Sequence, residues 1–272
     1  MAVDINLKKE KRRRTFKIGL IFSLSWIIGL VVFFITFFSR DDDYIEVAHE
    51  PGMVIGGSIA YDGRYYWATR LLVSFGAEIK REILQFTAAG DIEFFFTPQH
   101  DFRGLAFDNE RLWTAEAYGS QDYLSDKGNF YTIDRTSGQF TGQFAIHRDY
   151  LLDAITAGNG RLWVLGRYDT QEKRVFLWEI DHYIGSIVHE VEISDNIKIP
   201  CSGIAFLDGY VWAVVGSIDR EVVKISPQDG RILESHDFSG YEINGIASDG
   251  NTILLADGDK NQLRALEAFE QD

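Results

Sequence analysis

Gly203-Ile-Ala-Phe-Leu-Asp-Gly-Tyr-Val-Trp212 reads as two short apolar strands around a Leu-Asp-Gly turn. The same order of residue types returns in Gly57-Ser-Ile-Ala-Tyr-Asp-Gly-Arg-Tyr-Tyr-Trp67, Gly104-Leu-Ala-Phe-Asp-Asn-Glu-Arg-Leu-Trp113, Ala154-Ile-Thr-Ala-Gly-Asn-Gly-Arg-Leu-Trp163 and Gly245-Ile-Ala-Ser-Asp-Gly-Asn-Thr-Ile-Leu254. The anchors Ile59, Leu105, Ile155, Ile204 and Ile246 lie 46, 50, 49 and 42 residues apart. A period of roughly 40–50 residues with several strands per unit marks an all-β propeller, whose units bury their faces only against one another.

Outward from each copy, a unit divides into four strands. In the fourth unit the second hairpin turns at Pro227-Gln-Asp-Gly230, and Ala88-Ala-Gly-Asp91, Thr136-Ser-Gly138 and Tyr183-Ile-Gly185 match it in kind. The fifth unit has a third strand in Gln262-Leu-Arg-Ala-Leu-Glu-Ala-Phe269 and then runs out of chain. Tyr44-Ile-Glu-Val-Ala-His49 has the character of a spare fourth strand. Lending it to the last unit leaves no open edge and predicts a five-bladed β-propeller closed by an N-terminal strand. Trp67, Trp113, Trp163 and Trp212 then fall at one point of the second strand and are expected to pack between blades.

Ahead of the repeats the composition changes. Residues 1–17 form a basic tail, and residues 18–38, from Ile18 to Phe38, are an uncharged stretch of 21. As a helix at about 1.5 Å per residue it spans roughly one hydrocarbon core. It is longer than a signal peptide's apolar region and lacks a small-residue cleavage site. The reading is an uncleaved transmembrane signal anchor with its basic flank in the cytoplasm. Residues 39–43 are a short linker, and 44–272 the propeller domain. The protein is expected to be single-pass, with its propeller extracytoplasmic (periplasmic if bacterial). The linker reaches at most about 17–18 Å. The face bearing the hairpin turns therefore lies toward the bilayer, and the face bearing the loops 70–78 and 117–127 points away from it.

Residues 1–40 carry eight basic and two acidic groups; with the whole chain at −14, the remainder carries −20. So acidic a domain is not a nucleic-acid binder. Cys201 is the only cysteine, so no intramolecular disulfide forms.

Chemistry is expected where the inner strands begin, at the mouth of the central channel. Those positions are Gly57, Arg103, Asp153, Ser202 and Asn244, and the ends of the second strands add Arg70, Glu116, Arg167 and Asp257. This mixed ring suits a small ligand or a protein partner. An internal Arg103–Asp153 pair across a water-filled channel is the bland alternative. The catalytic candidates are Asp153 and Glu116. No cofactor is expected. A divalent cation such as calcium has one weak candidate, Asp257, Asp259 and Asn261, which open like a calcium loop but lack its glycine at the sixth and glutamate at the twelfth position. Histidines close four of the outer strands (His49, His100, His147 and His236), too far apart around a ring to share a metal.

The Gly-Ile-Ala, Asp-Gly and Leu-Trp elements resemble gluconolactonase- and NHL-type propeller repeats in general. More closely, Val211-Trp-Ala-Val-Val-Gly-Ser-Ile-Asp219-Arg220, Val222-Val-Lys-Ile-Ser-Pro-Gln-Asp-Gly230, Asp237-Phe-Ser-Gly240 and Asn244-Gly-Ile-Ala are similar to blades of the glutaminyl cyclase (glutamine cyclotransferase) family. The resemblance implies a five-bladed ring and aminoacyl cyclisation at acids topping the inner strands. Here Gly57 and Arg103 replace two such acids, Asp153-Ala-Ile-Thr keeps one, and Ser202-Gly-Ile-Ala stands for Asn-x-Leu-Glu. A binding module working through its membrane-distal face is therefore favoured, with a cyclase-like enzyme as the alternative and a metal-dependent lactonase behind it.

Overall fold

The computed structural model describes residues 44–47, 53–72, 80–98, 102–116, 129–146, 150–168, 174–193, 197–198, 200–217 and 219–269. The basic tail, the apolar stretch 18–38, His49, His100, His147 and most of the two long loops lie outside them. No helix among the described residues is long and apolar enough to cross a membrane.

The described chain is almost wholly β. Strand β1 is Tyr44–Glu46. The first repeat supplies β2 (Met53–Tyr61), β3 (Tyr66–Leu72), β4 (Lys80–Phe86) and β5 (Ile92–Phe96). The second supplies β6 (Phe102–Phe107), β7 (Leu112–Glu116), β8 (Asn129–Ile133) and β9 (Phe140–Ala145). The third is β10 (Tyr150–Gly158), β11 (Arg161–Tyr168), β12 (Val175–Asp181) and β13 (Ser186–Glu192). The fourth is β14 (Cys201–Leu207), β15 (Tyr210–Val215), β16 (Glu221–Ile225) and β17 (Ile232–Asp237). The last repeat has β18 (Ile243–Ser248), β19 (Ile253–Asp257) and β20 (Gln262–Ala265), followed by a single helical turn α1 (Leu266–Phe269).

The second, third and fourth repeats are four-stranded antiparallel meanders, and the rest form one sheet in the order β1-β20-β19-β18-β2-β3-β4-β5. Two features of that sheet matter. Strand β1 lies antiparallel to β20, Glu46 opposite Gln262, and so covers the outer edge of β20. Strands β18 and β2 run parallel, Gly245 opposite Gly57 and Ala247 opposite Ile59, so the inner strands of the last and first repeats meet directly.

Burial explains the strand patterns. Second strands such as β15 are covered on both faces and read as apolar runs, whereas the outer strand β17 shows mostly solvent-facing residues. The core is divided among clusters that each join neighbouring repeats. Trp67 packs with Leu105 and Leu112, Trp163 with Ile204 and Val211, and Trp212 with Ile246 and Leu255. Val47, Ile59, Leu84, Ala247 and Leu263 bring the first and last repeats together. The turns are tied to this core. Asp62 accepts from the N–H groups of Arg64 and Tyr65 and from Trp67 Nε1 at 2.9 Å, and Asp108 does the same for Glu110, Arg111 and Trp113. The next repeat's turn reaches back to each: Arg135 Nη1 lies 2.9 Å from Asp62, and His182 Nε2 lies 3.1 Å from Asp108.

Candidate functional site

The inner strands are irregular at the same place. In β10, β14 and β18 the register slips across one residue, so Asp153, Ser202 and Asn244 are skipped in the ladder with the second strand. A bulge of this kind turns the extra residue out of the ladder. In β6 the residue left over is Gly104, and in β2 the slip runs from Gly56 to Ala60. The carbonyls that the slips free are satisfied from the second strand: Thr69 Oγ1 donates to Gly56 O at 2.7 Å and Thr114 Oγ1 to Gly104 O at 2.8 Å.

Past the bulges the inner strands close on one another. A Cβ on Gly203 would come within 2.6 Å of the Gly57 backbone, and one on Gly245 would do the same. No larger residue fits at that approach, which is why the repeat keeps a small residue there. Ala154 and Ser58 are the two residues with a Cβ at this position; Ser58 is 1% exposed, and its Oγ accepts the Ile204 N–H at 2.9 Å from the fourth repeat. At this level the inner strands of the first, fourth and last repeats pack backbone against backbone.

This packed level adjoins a cavity of about 330 Å³, lined in the first two repeats by Gly56, Gly57, Thr69, Arg70, Arg81, Phe102 and Gly104. Asp153, Pro200, Cys201, Ser202 and Asn244 complete its lining. Five of the expected ring positions thus meet in one place: Gly57, Arg70, Asp153, Ser202 and Asn244. The side chains of Arg103 and Glu116 lie outside the described residues. Arg167 reaches the cavity through its pair with Asp153. Asp257 is not in the wall; it is buried, and its Oδ1 accepts the Lys260 N–H at 3.3 Å within the β19–β20 turn. Asp259 and Asn261 belong to that same turn, where Asn261 O accepts the Val47 N–H at 3.1 Å. Among the described residues no three potential carboxylate, histidine or cysteine ligands gather for a metal.

Two ion pairs at the cavity each lie within a single repeat. Arg167 forks onto Asp153, with Nε to Oδ2 at 3.2 Å and Nη2 to Oδ1 at 3.3 Å. The expected Arg103–Asp153 pairing involves a side chain outside the described residues. Arg70 donates from Nε to Glu82 Oε2 at 2.6 Å, with both side chains less than a tenth exposed. The Arg167 fork fixes the orientation of the Asp153 carboxylate and engages both its oxygens. Asn244 is set by its neighbours: its Nδ2 donates to Glu242 Oε1 at 3.2 Å and packs where a Cβ on Gly258 would stand.

Sequence reasoning missed Arg81, Glu82, Thr69 and Ser58. Glu82 becomes visible only with the register that sets it opposite Arg70. Ser58 carried a readable signal, as the one hydroxyl at a position where the other repeats have Gly104, Ala154, Gly203 and Gly245.

No protein-family model matches the chain, and no curated protein does. Among solved structures, it is similar to the crystal structure of Myxococcus xanthus glutaminyl cyclase, with TM-score 0.60 and 14% identity over 82% of this chain and 92% of that one. Kuenenia stuttgartiensis hydrazine synthase gives TM-score 0.43 and 15% identity over 77% of this chain and 56% of that one. The first likeness shows a β-propeller-like fold.

Proposed function

We propose a membrane-anchored, extracytoplasmic propeller of five four-stranded blades that binds a small polar ligand, or a polar segment of a partner protein, in its axial cavity. The blade count is supported by the strand order. Three sheets are single meanders, and the eight-stranded sheet divides at the β18–β2 contact into the first repeat and the last repeat completed by β1. The anchor rests on residues 18–38, and the outward sense on the direction of β1, which runs from Tyr44 opposite Arg264 to Glu46 opposite Gln262.

The observation that carries the binding reading is the bulge set. Asp153, Ser202 and Asn244 leave their ladders at equivalent points and wall one cavity. They offer an acceptor, a hydroxyl and an amide beside close-packed backbone, and Arg70 and Arg81 belong to the same lining. Hydrogen-bonding groups of both kinds converging on a small concavity are the ordinary make-up of a ligand site. The full chain in detergent is to be screened by thermal shift against amino acids, dicarboxylates and sugars. A true occupant raises the Tm of the wild type by linkage and loses that effect in Ser202→Leu and Asn244→Leu, which fill the cavity. Stabilisation that survives both substitutions puts the ligand elsewhere.

The competing reading is a glutaminyl cyclase-like enzyme with Asp153 moving the proton. It is disfavoured because both Asp153 oxygens already face Arg167. Turnover of a Gln-initiated peptide by the wild type, abolished in Asp153→Asn, would replace the binding reading.

A further inference from the structure

Strand β5 holds three phenylalanines in a row, Phe94, Phe95 and Phe96, and the pleat divides them between its two faces. Phe94 and Phe96 are partly buried against the core cluster shared with the second repeat. Phe95 turns the other way and is 54% exposed. The register says what else that face carries. Arg70 lies opposite Glu82, and Leu84 lies opposite Phe95. Glu82 and Leu84 are two apart on β4, so Arg70, Glu82, Leu84 and Phe95 share one face of the first repeat.

On that face the Arg70 Cζ lies 5.0 Å from the centre of the Phe95 ring, within the range of a cation–π contact. The guanidinium is thus held twice. Glu82 takes its edge, with Oε2 2.6 Å from Nε and also beside Nη2. Phe95 takes its face. Both charged residues are buried, although β5 ends the sheet and only one strand separates it from Arg70. Opposite charges attract more strongly where water is kept out, and a guanidinium exposed to water gives up that advantage. Arg70 also belongs to the lining of the axial cavity. One side chain therefore joins the outermost strand of the first repeat to the cavity.

We infer that Phe95 is a positioning residue for the cavity: its ring covers the Arg70–Glu82 pair from the outer strand and keeps the guanidinium fixed in the cavity lining. The inference rests on the binding reading of the proposed function, and it adds a residue that is not itself part of the lining. Phe95 acts through Arg70. It shields the ion pair from water and removes the freedom of a long side chain, so the cavity is organised before anything enters it.

The test uses the full chain in detergent and the arginine reagent phenylglyoxal, with modified sites followed by mass spectrometry. Arg64, exposed on the β2–β3 turn, reports the reagent's activity in every sample. Cys201, which is buried, reports the integrity of the fold through its resistance to N-ethylmaleimide. In the wild type Arg70 should react far more slowly than Arg64. Phe95→Ala should raise the Arg70 rate about 5–30-fold with Arg64 and Cys201 unchanged, as a local opening does when it loses a desolvated cation–π contact. Phe95→Tyr keeps the ring and should restore the protection. A wild-type Arg70 as reactive as Arg64 overturns the inference, as does an Arg70 rate that Phe95→Ala leaves unchanged or Phe95→Tyr fails to restore. A rise at Arg70 matched by an equal rise at Cys201 also overturns it, because the substitution then loosens the whole domain. No ligand takes part, so each of these failures leaves the binding reading standing. A ligand screen without a hit removes that reading instead, and with it the cavity role of Phe95.

Discussion

Arg70 is the charge whose surroundings matter most. It is 4% exposed, and Glu82 is the carboxylate against its Nε. Glu82→Ala leaves a buried guanidinium without that partner, a class of change that costs about 3–5 kcal/mol. Denaturant unfolding should show the midpoint falling accordingly, with Glu82→Gln losing less because it keeps an acceptor. Asp62 provides a pH handle. Burial pushes its carboxyl up, but hydrogen bonds from Trp67, Tyr65, Arg64 and Arg135 outweigh that and hold it below its ordinary value. A carboxylate depressed in the folded state stabilises the fold above its unfolded pKa, and that contribution is lost as pH falls through the folded pKa. Asp62→Asn should therefore lower the Tm at pH 7 and flatten the decline of Tm below about pH 4, the unperturbed carboxylate range. A Tm profile parallel to the wild type across that range would contradict the assignment. The Asp-Gly and Asp-Asn turns were legible from the sequence. Their bonds to Trp67 and Trp113 were not, because nothing local says that a turn carboxylate points back into the core.

The repeat unit was the most legible element. Alternating and continuous apolar runs separated by Gly, Asp and Asn gave the hairpins, and the spacing of the anchors gave the repeat. The bulges were not legible. Asp153 and Arg103 look equivalent by position, yet Asp153 is the residue left over in β10, whereas Arg103 pairs with Ala115 and Gly104 is left over in β6. Which of two adjacent residues leaves a ladder is decided by the facing strand and by what can occupy the axis, and Gly104 lies against Ser58 there. The bulge in β6 also depends on Thr114, which is fully buried and donates to the carbonyl of Gly104 at 2.8 Å. Thr114→Val keeps the shape and strands that carbonyl. It should cost about 1–3 kcal/mol, read as a drop in the denaturation midpoint. An unchanged midpoint would mean that the bulge is held by packing alone.

At the scale of the whole molecule, the closure and the site depend on each other. The inner strands converge tightly enough to form a floor only because the first and last repeats are brought together, by β18 against β2 and by Val47, Leu84 and Leu263 in one cluster. Much of this was foreseeable, since a fifth repeat short of one strand and a spare strand near the start of the domain leave one simple way to complete a ring. The packing of the axis was not foreseeable, because strand patterns do not report how closely backbones approach. The most direct test is therefore a cysteine pair placed across the closing contact, Glu46→Cys with Gln262→Cys, two residues directly opposite each other in the antiparallel ladder. Opposed antiparallel positions have Cα atoms about 4.5–5.5 Å apart, within disulfide range. Mild oxidation of the full chain should give one intramolecular disulfide and a higher Tm, both reversed by reductant. Failure to form it in the folded chain, or only intermolecular dimers, would contradict the closed ring and the cavity built on it.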